Sequence, residues 1–291
     1  MPRLGGRKLL HLIQPRLPQE LYLGRDQFFD FLRDHNLLVR RKRSRPKTTN
    51  SYHWYRKYPN LIRDFIPMGP NHLWVSDITY IETMEGFCYL SLVTDAYSRK
   101  ILGWALGDTL EAKHSIQALL MALKQLPKGT KGVYHHSDRG IQYCCTKYVN
   151  ILNKNHFNIS MTEKGDPLEN AIAERVNGIL KCEWLNTMKL RTREQAHKEL
   201  VPIIKIYNSQ RPHSSLEMKT PDAAHTTSGP LERKWKNYYK TPVSKIDSFV
   251  SPNEAMVTQE PIAIKTEWGI EPHSVFAQQS SGSSTPITKK S

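Results

Sequence analysis

The sequence predicts an α/β fold: a five-stranded mixed sheet with flanking helices, preceded by a small helical domain. Three observations carry this. Residues 71–106 hold three closely spaced β-rich runs, residues 111–185 alternate helical and strand patterns, and residues 1–38 show helical periodicity interrupted by proline.

From Arg7 to Leu17, the residues Leu9, Leu10, Ile13 and Leu17 recur at helical spacing and make one apolar face. Pro15 to Pro18 breaks the pattern, and Gly24 precedes a second periodic stretch with Phe28, Phe29, Phe31, Leu32 and Leu38. Helix, break, helix with a basic exterior fits a helix-turn-helix-like module over residues 1–48, and equally a helical hairpin used for packing. Within it, Arg40, Arg41, Lys42, Arg43, Arg45 and Lys47 form a dense basic run in which Pro46 blocks helix. Residues 49–70 read as a linker, where Tyr52 to Tyr58 interleave aromatic rings with His53, Arg56 and Lys57. Such cations neutralise phosphates, and such rings stack on exposed bases.

Leu73–Ile81, Gly86–Val93 and Lys100–Leu106 are β-branched or aromatic runs with short separations, which predicts an antiparallel meander. A helix follows over Glu111–Leu126, closed by Pro127, then a short strand at Gly132–His136, a helix at Lys147–Asn155 and a strand at Phe157–Met161. After a loop at Gly165-Asp166-Pro167, a long helix runs from Leu168 to Leu185. This order matches a ribonuclease-H-like sheet, with three antiparallel strands and two added by crossover helices. A further helix over Thr192–Tyr207, despite Pro202, completes a core with C-terminal helices over residues 71–225. Residues 226–291 form a tail without a readable role, and its low-complexity end at 279–291 is expected to be disordered.

The net charge is +15, and residues 1–64 hold 15 Lys and Arg against 5 Asp and Glu, so a polyanionic partner is expected near the N-terminus. No run of apolar residues is long enough for a membrane span, and no signal-peptide core follows the N-terminal charges, which predicts a cytoplasmic protein. The 4 cysteines include no C-x-x-C pair, so reduced, buried thiols are expected rather than a disulfide framework or a zinc site.

Three carboxylates stand out by position. Asp77 lies in the first strand, Asp138 ends the fourth, and Glu174 lies in the long helix. In this topology the first and fourth strands are neighbours at the sheet centre, so their aspartates meet and the helix brings the glutamate over them. Phosphodiester chemistry needs such a cluster: two hard divalent cations, about 3.5–4 Å apart, activate the attacking oxygen and stabilise the leaving one. Asp95, Asp108 and Asp166 are expected to be solvated surface charges. His135 and His136 beside Asp138 point to opposite faces of a strand, one toward the core and one toward the site, and neither is expected to be a metal ligand.

Asp138 and Glu174 are separated by 35 residues, and Lys181 lies seven beyond Glu174, two helical turns along the same face. The phrases W-V-S-D-I-T-Y-I, H-S-D-R-G-I-Q-Y, E-K-G-D-P-L-E-N-A-I-A-E-R-V-N-G-I-L-K and Y-N-S-Q-R-P-H-S-S-L resemble the second-reading-frame transposases of the insertion-sequence-three family, part of the DDE retroviral-integrase superfamily. The resemblance covers residues 3–225. It implies an integrase catalytic core, joining of a 3′-hydroxyl to a new DNA strand, and Asp77, Asp138 and Glu174 as catalytic metal ligands for two Mg2+ ions, with Mn2+ able to substitute. It implies double-stranded DNA as partner, both element ends and target, a homo-multimer in a synaptic complex, and an upstream reading-frame product as a further partner. Lys181, Arg175 and Arg139 are the DNA-contact candidates in the core, beside Arg40, Arg41, Lys42, Arg43 and Arg45 in the basic run. Gly140 is expected to allow a tight turn, and Asn170 either to face the site or to cap the helix. Glu217-Met218 stands where the family commonly has Gly-Tyr. The alternatives are a ribonuclease-H-like nuclease, which the basic N-terminal region argues against, and a catalytically idle DNA-binding relative, which the intact carboxylates argue against.

Overall fold

The computed structural model describes Met1 and residues 3–39, 53–163 and 170–231. The basic run 40–47, the loop 165–167 and most of the tail lie outside the described residues. Helix α1 spans Gly6–Ile13 and ends four residues before its apolar stripe does. Pro15 has no N–H to donate, so the chain tightens into a 3₁₀ turn over Gln14–Arg16 and Leu17 leaves the stripe. Helix α2 spans Arg25–Asp34 and buries Phe28 and Leu32. It stops where Asn36 takes a left-handed backbone with φ 55°. The two helices approach closely at Gly6, where a Cβ would stand 2.9 Å from the Phe29 ring.

Strands β1 (Leu73–Thr83), β2 (Gly86–Asp95) and β3 (Ile101–Gly107) form the expected antiparallel meander. Helix α3 (Ala112–Leu123) crosses to β4 (Tyr134–Ser137). Helices α4 (Ile141–Cys144) and α5 (Thr146–Lys154) lead to β5 (Asn158–Met161). The sheet order is β3-β2-β1-β4-β5, with β4 and β5 parallel to β1. This is the mixed five-stranded sheet of a ribonuclease-H-like integrase core. Helix α4 was not predicted, since four residues are too few to show a period.

Helices cover both faces. On one, α3 and α5 bury Trp74, Leu102, Leu119 and Tyr148. At Gly103 a Cβ would lie 2.0 Å from the carbonyl oxygen of Ala118, so only glycine lets the α3 backbone lie against β3. On the other face, α6 (Ala171–Glu183) and α7 (Arg193–Ser209) bury Leu90, Leu92, Leu180 and Leu200. Pro202 sits inside α7 with its ring on the exposed side, where the helix continues past it. A short helix α8 (Pro221–Ala224) closes the described chain, with Thr220 accepting from the Ala223 N–H as its N-cap.

Two expectations are corrected here. Asp95 is not a surface charge but fully buried. The β2–β3 turn closes around it, and its carboxylate accepts from the Asn71 N–H (2.7 Å), the Ser98 N–H (2.7 Å) and the Ser98 hydroxyl (2.8 Å). Those donors would otherwise be buried without partners. The thiols are not uniformly buried either: Cys88 and Cys144 are, Cys145 is half-buried, and Cys182 is exposed on the outer side of α6. Among the described residues no helix is long and apolar enough to cross a membrane.

Candidate active site

The site begins with strand register. Trp74 pairs with His135 and Val75 with His136 across parallel strands β1 and β4. Asp77 and Asp138 stand at the same sequence separation, just past the point where that pairing ends. Both are half-buried. The Gly140 N–H donates to Oδ1 of Asp138 at 2.9 Å. Gly140 itself has φ −65°, so its role is not the expected permissive turn. A Cβ there would stand 2.9 Å from both Asp138 Oδ1 and Gln142 Oε1, so glycine is what lets the backbone close on the carboxylate. Tyr143, on α4, is buried with its ring against His135 and Tyr148. Burial, then Tyr148, Asp77 and Asp138, push its hydroxyl well above the ordinary tyrosine value, so it stays neutral and able to donate.

Helix α6 supplies the third side. Asn170, Glu174, Asn177 and Lys181 recur at four, three and four residues, which lines them up on one face. Three of the four contact consecutive parts of β1. Asn170 Nδ2 donates to the Ser76 carbonyl at 3.1 Å, and Asn177 Nδ2 donates to Asp77 Oδ2 at 2.8 Å. Lys181 Nζ lies 3.8 Å above the Tyr80 ring. Both partners of the asparagines are acceptors, so the amide orientation follows from chemistry. Glu174 is the remaining member of this stripe, half-buried between Asn170 and Asn177. Burial holds Lys181 below its ordinary value, against the opposite pull of Asp77. Asn170 makes no capping bond, so of its two expected roles it takes the one facing β1.

The donor set suits a hard divalent cation: carboxylate oxygens from the middle of β1, from the residue just past β4 and from the facing helix. Both asparagines are buried with an Oδ1 that has no hydrogen-bond partner among the described residues. Among the described residues no three His, Cys, Asp or Glu side chains are gathered to hold an ion as they stand.

The remaining candidates fall in different places. The Arg139 carbonyl accepts from His53 Nε2 at 2.7 Å, which ties the segment after β4 to the linker. Arg175 is exposed on α6, and its charge is felt at Lys8, Tyr207 and His213, on the side of the helix away from Asp77. Arg40, Arg41, Lys42, Arg43 and Arg45 lie outside the described residues. The expectation that one of His135 and His136 faces the site is corrected: both are buried in the core. His135 Nε2 meets the hydroxyls of Ser76 (2.8 Å) and Tyr148 (2.9 Å), while His136 Nδ1 meets Ser160 (2.9 Å). Burial lowers His135 to about 3. The sequence reading missed Asn177 and Tyr143, although each lies inside a phrase already singled out.

Two models of the integrase core domain match this chain, over residues 67–167 and 155–221. Over 205 residues the chain is 37% identical to the uncharacterized 31 kDa protein of insertion element IS600 from Shigella sonnei, covering 70% of this chain and 75% of that protein. It is 37% identical over 166 residues to the transposase for IS904 of Lactococcus lactis (56% of this chain, 65% of that one). It is 36% identical over 180 residues to the transposase InsF for IS3A of Escherichia coli (60% and 62%). Among solved structures, the magnesium-bound catalytic core of HTLV-2 integrase overlaps 55% of this chain and 99% of its own, at 19% identity and a TM-score of 0.44. The chain belongs to the bacterial insertion-sequence transposases that carry an integrase core domain, polynucleotidyl transferases of the DDE type.

Proposed function

We propose that this chain cleaves DNA at the ends of an insertion sequence and joins the resulting 3′-hydroxyl to target DNA. The observation that carries this is the shared register of Asp77 and Asp138 beside the α6 stripe that holds Glu174. These three carboxylates are the ligands for two divalent ions, magnesium with manganese able to substitute, since both favour oxygen donors. Such ions, when bound, supply the Lewis acidity that activates an attacking oxygen and stabilises a leaving one. The chain's own residues prepare the site. Asn177 donates to one oxygen of Asp77, and the Gly140 N–H donates to one oxygen of Asp138, which limits how each carboxylate can turn. Lys181 brings positive charge to the rim, where a phosphate would lie. Arg139 extends that charge, Arg175 offers a separate contact on the other side of α6, and the basic run 40–47 provides further sequence-independent grip on double-stranded DNA. Two element ends must be held together, which calls for a homo-multimer, and an upstream reading-frame product would add recognition of the ends.

A strand-transfer assay with labelled element ends, target DNA and magnesium tests this, run with and without the upstream product. Glu174→Gln keeps the size of the side chain and removes its charge. It should lower joining by more than ~100-fold, beyond what loss of an outer-shell partner typically costs. Equal joining by both proteins would sink the assignment of Glu174. Cutting of RNA in an RNA–DNA hybrid without joining would favour the nuclease, and tight binding without cutting would favour an idle relative.

A further inference from the structure

The β1–β2 ribbon outruns its neighbours. β4 pairs with β1 only over Leu73–Val75, and β3 pairs with β2 only as far as Tyr89. Beyond Tyr80 and Tyr89, no third strand of the described residues lies beside these two. Tyr80 lies opposite Tyr89, and Glu82 opposite Phe87, so Tyr80 and Phe87 are diagonal neighbours on one face. Their ring centroids are 5.4 Å apart in an edge-to-face arrangement. They are 44% and 50% exposed, far above the burial their apolar area favours.

The setting is cationic. Tyr80 and Asp77, three residues apart on β1, leave opposite faces of the strand; what joins the ring to the site is α6, whose Asn177 donates to Asp77 and whose Lys181 covers one side of the Tyr80 ring. At the ribbon tip an open depression of about 1010 Å³ is lined by Met84, Lys189, Arg191 and Gln195. Of the ribbon's carboxylates, Glu85 accepts from the Arg193 N–H at 2.9 Å. Glu82 shares the aromatic face but sits at its outer end, so a polyanion is drawn toward the inner end, by Lys181.

Exposed rings beside cations, next to the candidate site, match the chemistry of single-stranded nucleic acid, whose bases offer free π-faces. Bases inside a duplex are stacked on one another and have no face to give. We infer that Tyr80 and Phe87 form a stacking platform for an unpaired nucleotide of the reacting DNA, with Lys181, Lys189 and Arg191 taking the flanking phosphates. This rests on DNA being the substrate, and it gives the site a preference for ends whose terminal bases have come apart.

The test measures binding of the full chain without divalent metal, so it is independent of strand transfer. Two fluorescent DNAs of equal length and phosphate count are compared, one fully paired and one with a short run of mispaired terminal nucleotides. Phe87→Ala should weaken binding of the mispaired end by roughly 5- to 150-fold, the range for one base lost from an aromatic face, and leave the paired duplex unchanged. Phe87→Trp should restore it, and abasic sugars at the mispaired positions should erase the preference in the unaltered chain. Equal binding of both DNAs by Phe87→Ala and the unaltered chain would overturn the inference, as would equal loss on both. Loss of self-association with DNA binding unchanged would also overturn it and assign the rings to a contact between copies. Failure here leaves the strand-transfer reading standing, and failure of strand transfer leaves this preference measurable.

Discussion

Glu217 and Met218 take φ values of 54° and 66°, a left-handed pair at the end of the 3₁₀ turn Ser214–Leu216. Such a conformation costs an L-residue ~1–2 kcal/mol and costs glycine little. The ion pair from Glu217 to Lys219, at 3.4 Å and well exposed, offsets little of that. Glu217→Gly should therefore stabilise the fold by ~0.5–1 kcal/mol after glycine's own entropy is counted, read as a higher urea midpoint at unchanged slope. A lower midpoint would mean that the Glu217 side chain outweighs its backbone. Single residues were unevenly legible. Asp77, Asp138 and Glu174 could be singled out because each sits in a phrase tied to the end of an element. Asp95 was misread, because its partners are N–H groups brought to it by a turn, and a sequence displays the charge without the donors. Asn177 was passed over although it lies three residues from Glu174, since asparagine gives no chemical signal until its acceptor is in place.

Helix α6 works at both ends. One face lies along β1 as far as Lys181, while Glu183 at its last residue binds Arg211, just beyond α7, through two oxygens at 2.7 and 2.5 Å. Arg211 is fully buried, and Lys8 of α1 stands 3.9 Å from the same carboxylate. Burial and the Arg211 charge lower Lys8 to about 8 against the pull of Glu183. Glu183→Gln would leave a guanidinium buried without its counter-charge, at a cost of ~3–5 kcal/mol, while replacing both partners by apolar residues of similar volume should be near neutral. Denaturant curves on the single and double variants separate the two cases; a single variant as stable as the unaltered chain would remove the pair from the account. This bridge joins residues 28 apart in sequence, and no periodicity points to it. Periodicity did recover every strand and the long helices. It overran at α1, where apolar spacing continued past the proline that ended the hydrogen bonding.

The described residues belong to one compact unit, and its interior holds histidines that cannot take up a proton cheaply. Burial lowers His135 to about 3, and burial followed by Arg211 lowers His213 to about 2, both from 6.5. The unfolded chain therefore binds protons between those values that the folded chain refuses. Stability should be full above pH 6.5 and fall as the pH drops toward 3, by ~1.4 kcal/mol per unit for each histidine at most. Urea midpoints at pH 7.5 and 5 should differ accordingly, and His135→Asn should flatten the dependence; a pH-independent midpoint would show that these rings gain a proton without unfolding. The sheet order was legible at this scale because two short connections and two helical crossovers leave few ways to wind the chain.

β1 parts from β4 immediately after Val75. To one side of that seam the chain continues from β1 to β2, and to the other from β4 to β5, so the winding reverses there. The gap that opens there, at the carboxyl end of β4 and beside the middle of β1, is created by connectivity rather than by any one side chain. The cleft therefore belongs to the fold and the carboxylates to the sequence. A chain that lost Asp77 or Asp138 would keep the same opening, ready to be furnished with different chemistry.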